Sequence, residues 1–320
     1  MTRLLLALAA CCATACAATA PARRPFHPFD GERFVGHGIS YGPHRDGQRP
    51  GAEGPTRAQL REDLQLLRGR WDLLRVYASD GPTPELVALV HEERLPFKVL
   101  LGAWIAPEKT PADREANRAQ VAAAVRLANA YPSVVLAVVV GNETQVSWSA
   151  HRTDPAVLVE WLREARRGAK VPVATADDFG FWLSPESDRI AAEVDLIVLH
   201  AYAMWNGKAL EDALAFTQEK YAATVKRHPG LPVLLGEAGW ATKKHTEGEQ
   251  ATLIKAEAGE AQQRRFFQEF EAWVKREKIP STWFEAFDEN WKGGPHPDEV
   301  EKHWGLWRAD RTPKAAVAGP

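Results

Sequence analysis

The sequence has no cysteine after position 16: Cys11, Cys12 and Cys16 are its only three. A domain lying beyond them has no disulfide, so core packing must hold it together. There is also no excess of either charge. Forty Lys and Arg stand against 42 Asp and Glu, a formal net charge of −2. That removes the electrostatic case for binding nucleic acid or an anionic membrane surface. Past the first residues no apolar run is long enough to span a bilayer. Gly36-His37-Gly38 is not a dinucleotide-binding fingerprint, and His37, His44 and His303 do not share metal-ligand spacing. No second domain and no internal repeat is visible, and a monomer is expected. Tryptophan, by contrast, is abundant, with 12 copies among 320 residues. Its flat, weakly hydrated face suits both core packing and stacking on a sugar ring.

The first twenty residues read as a secretory signal. Arg3 precedes the short apolar run Leu4 to Ala10, and small neutral residues follow. Leu8-Ala9-Ala10-Cys11 has the form of a bacterial lipobox, and Ala13-Thr14-Ala15-Cys16 is a looser version. Two readings stand side by side: an acyl anchor on cysteine, or simple cleavage after a small residue such as Ala15 or Ala20. Either way the protein is expected outside the cytoplasm, whether periplasmic, tethered to the outer membrane or extracellular. A lipid anchor would be its only contact with membrane. Residues 21–33, rich in Pro and Arg, read as a tether before a catalytic domain over 34–320.

Eight short runs dense in Val, Leu, Ile and Phe follow, at 34–41, 72–78, 97–104, 134–141, 172–176, 195–203, 232–238 and 281–288. Parallel strands buried on both faces have this composition. Helical patterns separate them. Leu60, Leu64 and Leu67 repeat behind a Thr56 cap; Thr83-Pro84 and Asp154-Pro155 open two more helices. The alternation predicts an α/β fold, a single (β/α)8 TIM barrel. In such a barrel the chemistry sits where strands end at the C-terminal mouth. The fourth run ends Gly141-Asn142-Glu143 and the seventh Gly236-Glu237-Ala238-Gly239-Trp240. Each places one carboxylate directly behind a glycine and a buried run. Two carboxylates across one mouth are what glycoside hydrolysis needs, one to protonate the leaving oxygen and one to attack or activate water. Asn142 beside the first can hold a sugar 2-OH.

These two motifs, with Phe284-Glu285-Ala286-Phe287-Asp288-Glu289-Asn290-Trp291-Lys292 and Glu301-Lys302-His303-Trp304-Gly305-Leu306, resemble glycoside hydrolase family 17. The resemblance runs from about Gly38 to Lys314 and is read as a bacterial member. It implies a retaining hydrolase of β-1,3- or mixed-linked β-glucan, or a β-1,3-glucan transglycosylase, with no cofactor and no metal. Glu143 matches the acid/base and Glu237 the nucleophile. Glu289, Lys292 and Glu301 match a charged cluster that holds sugar hydroxyls and tunes the glutamates. Tyr202 matches a tyrosine that orients the nucleophile, Tyr77 one that contacts substrate, and Trp240 and Trp291 stacking platforms. His200 stands where plant members carry Asn, and is either a substrate contact or a hydrogen-bonded core imidazole. Ala203-Met204-Trp205 departs from the plant pattern, as does the charged stretch from Lys243 to Gly259; both bear on groove shape and on endo versus exo action. A glucan-binding protein without catalysis is the remaining reading, and it predicts that one glutamate is missing.

Overall fold

The computed structural model describes residues 22–318. The signal and lipobox readings lie outside those residues. Eight parallel strands close into one barrel: β1 (His37–Ser40), β2 (Leu73–Val76), β3 (Lys98–Ala103), β4 (Val135–Asn142), β5 (Val173–Asp178), β6 (Leu196–His200), β7 (Val233–Ala238) and β8 (Ser281–Trp283). All eight expected runs hold a strand, and the fold is a (β/α)8 barrel. Strand β8 is shorter than its apolar run. Past Trp283 the chain leaves the ladder, and Glu285, Asp288 and Ala286 bond instead to Trp304, Trp307 and Ser40.

Three of the longer helices begin at side-chain caps. Thr56 closes a capping box on α1 (Arg57–Leu67), α2 (Thr83–Glu92) starts at Thr83 with no side-chain cap bond, and Thr110 closes a capping box on α3 (Pro111–Ala130). Asp154 caps α4 (Pro155–Gly168), which has Pro in its first turn. The larger buried cluster lies between strands and helices, while a second one fills the barrel itself, with Leu73, Leu100, Ala137, Val139, Ala174, Leu196, Val198 and Leu234.

The segment read as a tether is part of the fold. Phe26 is buried in the barrel-filling cluster. The Arg24 backbone N–H bonds Asp195 Oδ1 at 2.9 Å, and Phe29–Asp30 pairs with Arg33–Phe34 in a short hairpin. The Pro/Arg composition suggests a linker, but Phe26 in the barrel-filling cluster, the Arg24–Asp195 bond and the hairpin hold the segment in place.

Candidate active site

Both strands that carry a glutamate break register just before it. The β4–β5 pairing shifts between Val139 and Asn142, and the β6–β7 pairing shifts before His200 and Glu237. Bulges of this kind turn a side chain that strict alternation would send elsewhere. At β4 the turn needs a left-handed backbone, with Gly141 at φ 78° and Glu143 itself at φ 52°. Glycine takes that conformation without penalty. At β7 the need is space. A Cβ on Gly236 would lie 2.2 Å from Val198 Cγ1 and 3.1 Å from Arg75 Nη1. The bare glycine lets the Arg75 guanidinium cross the barrel.

Those turns bring the two carboxylates together. One ligating atom each from Glu143, His200 and Glu237 lies within 4.8 Å of the others. Glu237 is buried and fully engaged. Oε1 accepts from Arg75 Nη1 at 2.7 Å and Tyr77 at 2.9 Å, and Oε2 accepts from Tyr202. Arg75 also bonds the Gly236 carbonyl at 2.9 Å and Asn142 Oδ1 at 2.7 Å. Arginine can only donate, so Asn142 must turn its oxygen to it, leaving its NH2 for another partner. Glu143 contacts His200 Nδ1 at 2.8 Å.

The surroundings push the two carboxyls in opposite directions. Burial raises Glu143 well above the usual carboxylate range; the negative charges of Glu237 and Asp178 raise it further, against Arg75. Burial would raise Glu237 too, but His200, Arg75 and the hydroxyls of Tyr202 and Tyr77 outweigh it and hold the carboxyl low. A pair separated this way has one protonated acid and one anion at the same pH. A divalent ion fits the trio poorly, because the Arg75 cation already lies 2.7 Å from Glu237 Oε1.

Around this core stands the charged cluster. Lys292 bonds Glu289 at 2.7 Å and both oxygens of Glu285, at 2.7 and 2.9 Å. Gly42 makes room, since a Cβ there would lie 2.3 Å from the Glu289 carboxylate. Burial raises Glu289, but Lys292, His44 and Trp291 bring it down to about 2. Glu301, half-buried, is pushed up to about 7 by burial, with Lys292 opposing and Glu143 and Glu237 reinforcing. Trp291 stands at the rim, 40 % exposed, with Nε1 donating to Glu289 at 3.0 Å.

Trp240 is a correction. It is fully buried, packs on Phe266 and donates Nε1 to the Glu257 carbonyl at 3.0 Å. Its ring cannot stack on a sugar; its position in the motif fixed its neighbours in sequence but not the face it turns to. Tyr77 differs in another way, bonding Glu237 directly. Arg75 and Glu285 were missed as site residues. The available signal was period two: Leu73, Arg75 and Tyr77 share one face of β2, and a charge inside an apolar run needs a partner.

The BtgE/BtgC glycoside hydrolase domain family matches residues 38–305. The chain belongs to that family. It is a glycosidase, and with that membership the reading as a binding protein without catalysis falls. Similar proteins include a glucan 1,3-beta-glucosidase of Arthroderma benhamiae, 28% identical over 281 residues, covering 83% of this chain and 86% of that one. A glucan 1,3-beta-glucosidase of Schizosaccharomyces pombe is 29% identical over 269 residues, covering 79% and 78%. Among solved structures, an endo-laminarinase from Formosa superposes with a TM-score of 0.78 at 22% identity, covering 89% of this chain and 87% of that one. A glycoside hydrolase family 17 beta-1,3-glucanosyltransferase from Rhizomucor miehei gives 0.69 at 24% identity, covering 88% and 96%. At those identities the structures speak for the fold alone.

Proposed function

We propose that this glycosidase is a retaining β-1,3-glucanase of the glycoside hydrolase family 17 type, with Glu143 as acid/base and Glu237 as nucleophile. One observation carries the reading: an oxygen of each carboxyl lies within 4.8 Å of the other, and the surroundings push Glu143 up and Glu237 down. Retaining enzymes place this pair about 5–5.5 Å apart, whereas inverting ones need roughly 6.5–9.5 Å to admit a water. In the first step Glu237 attacks the anomeric carbon while Glu143 gives its proton to the departing oxygen. In the second the Glu143 carboxylate takes a proton from water, whose oxygen displaces Glu237 from the sugar. The Asn142 NH2 and the Glu289–Lys292 cluster are available for sugar hydroxyls, and Trp291 offers an exposed face. The glucan 1,3-beta-glucosidases among its relatives support β-1,3-glucan as substrate.

Transfer to a second sugar uses the same intermediate. The observation that favours it is Trp148, 62 % exposed on the loop that follows Glu143, where an aromatic face could hold an acceptor. Following laminarin digestion by NMR and by product length tests both points. The first reducing ends should appear as the β-anomer; α-anomers would overturn the retaining mechanism. Products longer than the substrate would mean transfer. Export through the N-terminal leader completes the proposal, and mass spectrometry of the mature N-terminus would reveal cleavage or acylation.

A further inference from the structure

His200 stands between the two glutamates and touches both. Its ring is fully buried at the end of β6, with Nδ1 2.8 Å from Glu143 Oε1 and Nε2 3.3 Å from Glu237 Oε1. Nε2 has no hydrogen-bond partner of good geometry among the described residues. The other charged and titratable groups facing the ring are Arg75 from β2 and Asp177 and Asp178 from β5. Burial lowers the imidazole to about 4, and Arg75 adds to this against the pull of Glu237, Asp177 and Asp178. Between pH 5 and 7 the ring is therefore neutral and has one N–H to share between two nitrogens.

We infer that His200 is a positioning residue that ties the proton on Glu143 to the charge on Glu237: Nδ1 accepts the hydrogen bond of protonated Glu143, and the single N–H, on Nε2, faces the Glu237 carboxylate. The inference rests on the roles proposed above for the two glutamates. Its logic is a proton count. A 2.8 Å contact between Nδ1 and a carboxyl oxygen needs one proton between them. If Glu143 supplies it, the ring proton is left on Nε2, and both contacts are favourable. If Glu143 ionises while Glu237 is still an anion, one ring nitrogen must point a lone pair at a carboxylate. His200 thus disfavours the doubly ionised pair and keeps the acid loaded. Once Glu237 is esterified by the sugar its charge is gone, and an Nδ1–H can face the Glu143 carboxylate without that penalty. The ring proton changes nitrogen, and no net proton is gained or lost.

Two measurements test this. Nitrogen-15 NMR of the wild-type enzyme, with His200 identified by the resonances lost in His200→Asn, should show Nε2 protonated and Nδ1 bare from pH 5 to 7. An Nδ1–H tautomer or an imidazolium in that window would overturn the inference. The second is the pH profile of kcat/KM on laminarin for His200→Asn, whose amide can turn either end to Glu143 and has no atom at Nε2. The basic limb should move down by about one pH unit, roughly a tenfold loss on the alkaline side. KM should change little, and an aryl glucoside with a good leaving group should lose less. A profile parallel to wild type would mean a merely structural imidazole. If azide fails to rescue Glu237→Ala, the glutamate roles themselves fall; normal rescue with a parallel His200→Asn profile removes only the inference about His200.

Discussion

Arg75 reaches Glu237 through space that Gly236 leaves open, and its fork bonds the Glu237 carboxylate, the Gly236 carbonyl and Asn142 at once. Lysine keeps the charge but has no planar fork. Arg75→Lys should fold, yet leave Glu237 mis-aimed, with kcat on laminarin lower by about 100-fold, the cost of a small misplacement at a reacting centre. A kcat within threefold of wild type would remove Arg75 from the orienting network. Glu289 makes a pH prediction. Its pKa is about 2 in the folded protein against 4.5 unperturbed. A depressed carboxyl contributes stability that is present above about 4.5 and lost as pH falls towards 2. Glu285, raised by burial, acts in the opposite sense and above 4.5, so the windows are separate. In urea unfolding between pH 4.5 and 2, where Glu237 and Glu271 lose stabilisation as well, Glu289→Gln should make the fall shallower by on the order of 1 kcal/mol per pH unit. Equal slopes would mean that the Lys292 pair does not form. Of the site residues, Glu143 and Glu237 were legible because a motif marked each. Arg75 was legible only as a charge inside the run Leu73-Leu74-Arg75-Val76; its partner across the barrel was not.

At the scale of elements, the strands were legible because both faces of a barrel strand are buried, which writes a continuous apolar run. A cap or a first-turn proline made three helix starts legible, at Thr56, Thr83-Pro84 and Asp154-Pro155. The register shifts in β4 and β7 were not, since a bulge is set by the pairing strand as much as by its own residues. The N-terminal segment reads as a tether for a related reason: of its two large apolar side chains, Phe26 and Phe29, only Phe26 is buried, and that burial depends on strands from all round the barrel. Phe26→Ala should cost about 3 kcal/mol in urea unfolding, as expected for emptying a buried aromatic site. Activity at permissive temperature should survive, because the mouth is at the opposite end. A change under 0.5 kcal/mol would mean that the segment only rests on the floor.

The whole molecule is a barrel whose floor is plugged by its own N-terminal segment and whose mouth holds a dense network of charges. Each glutamate owes its protonation state to parts of the chain far apart in sequence: Arg75 from β2, Glu143 from β4, Asp178 from β5, His200 from β6 and Glu237 from β7. Only ring closure puts those groups in one field, which is why strand ends marked the pair while its division of labour came from the family resemblance alone. The most direct test of that division is Glu237→Ala assayed with an activated β-glucoside in the presence of azide. Without azide, turnover should fall at least about 1,000-fold, the scale of a lost nucleophile. With azide it should recover and yield the α-glucosyl azide, because the small anion attacks from the face the carboxylate has vacated. Wild-type turnover in the variant, or a β-glucosyl azide as product, would contradict the account.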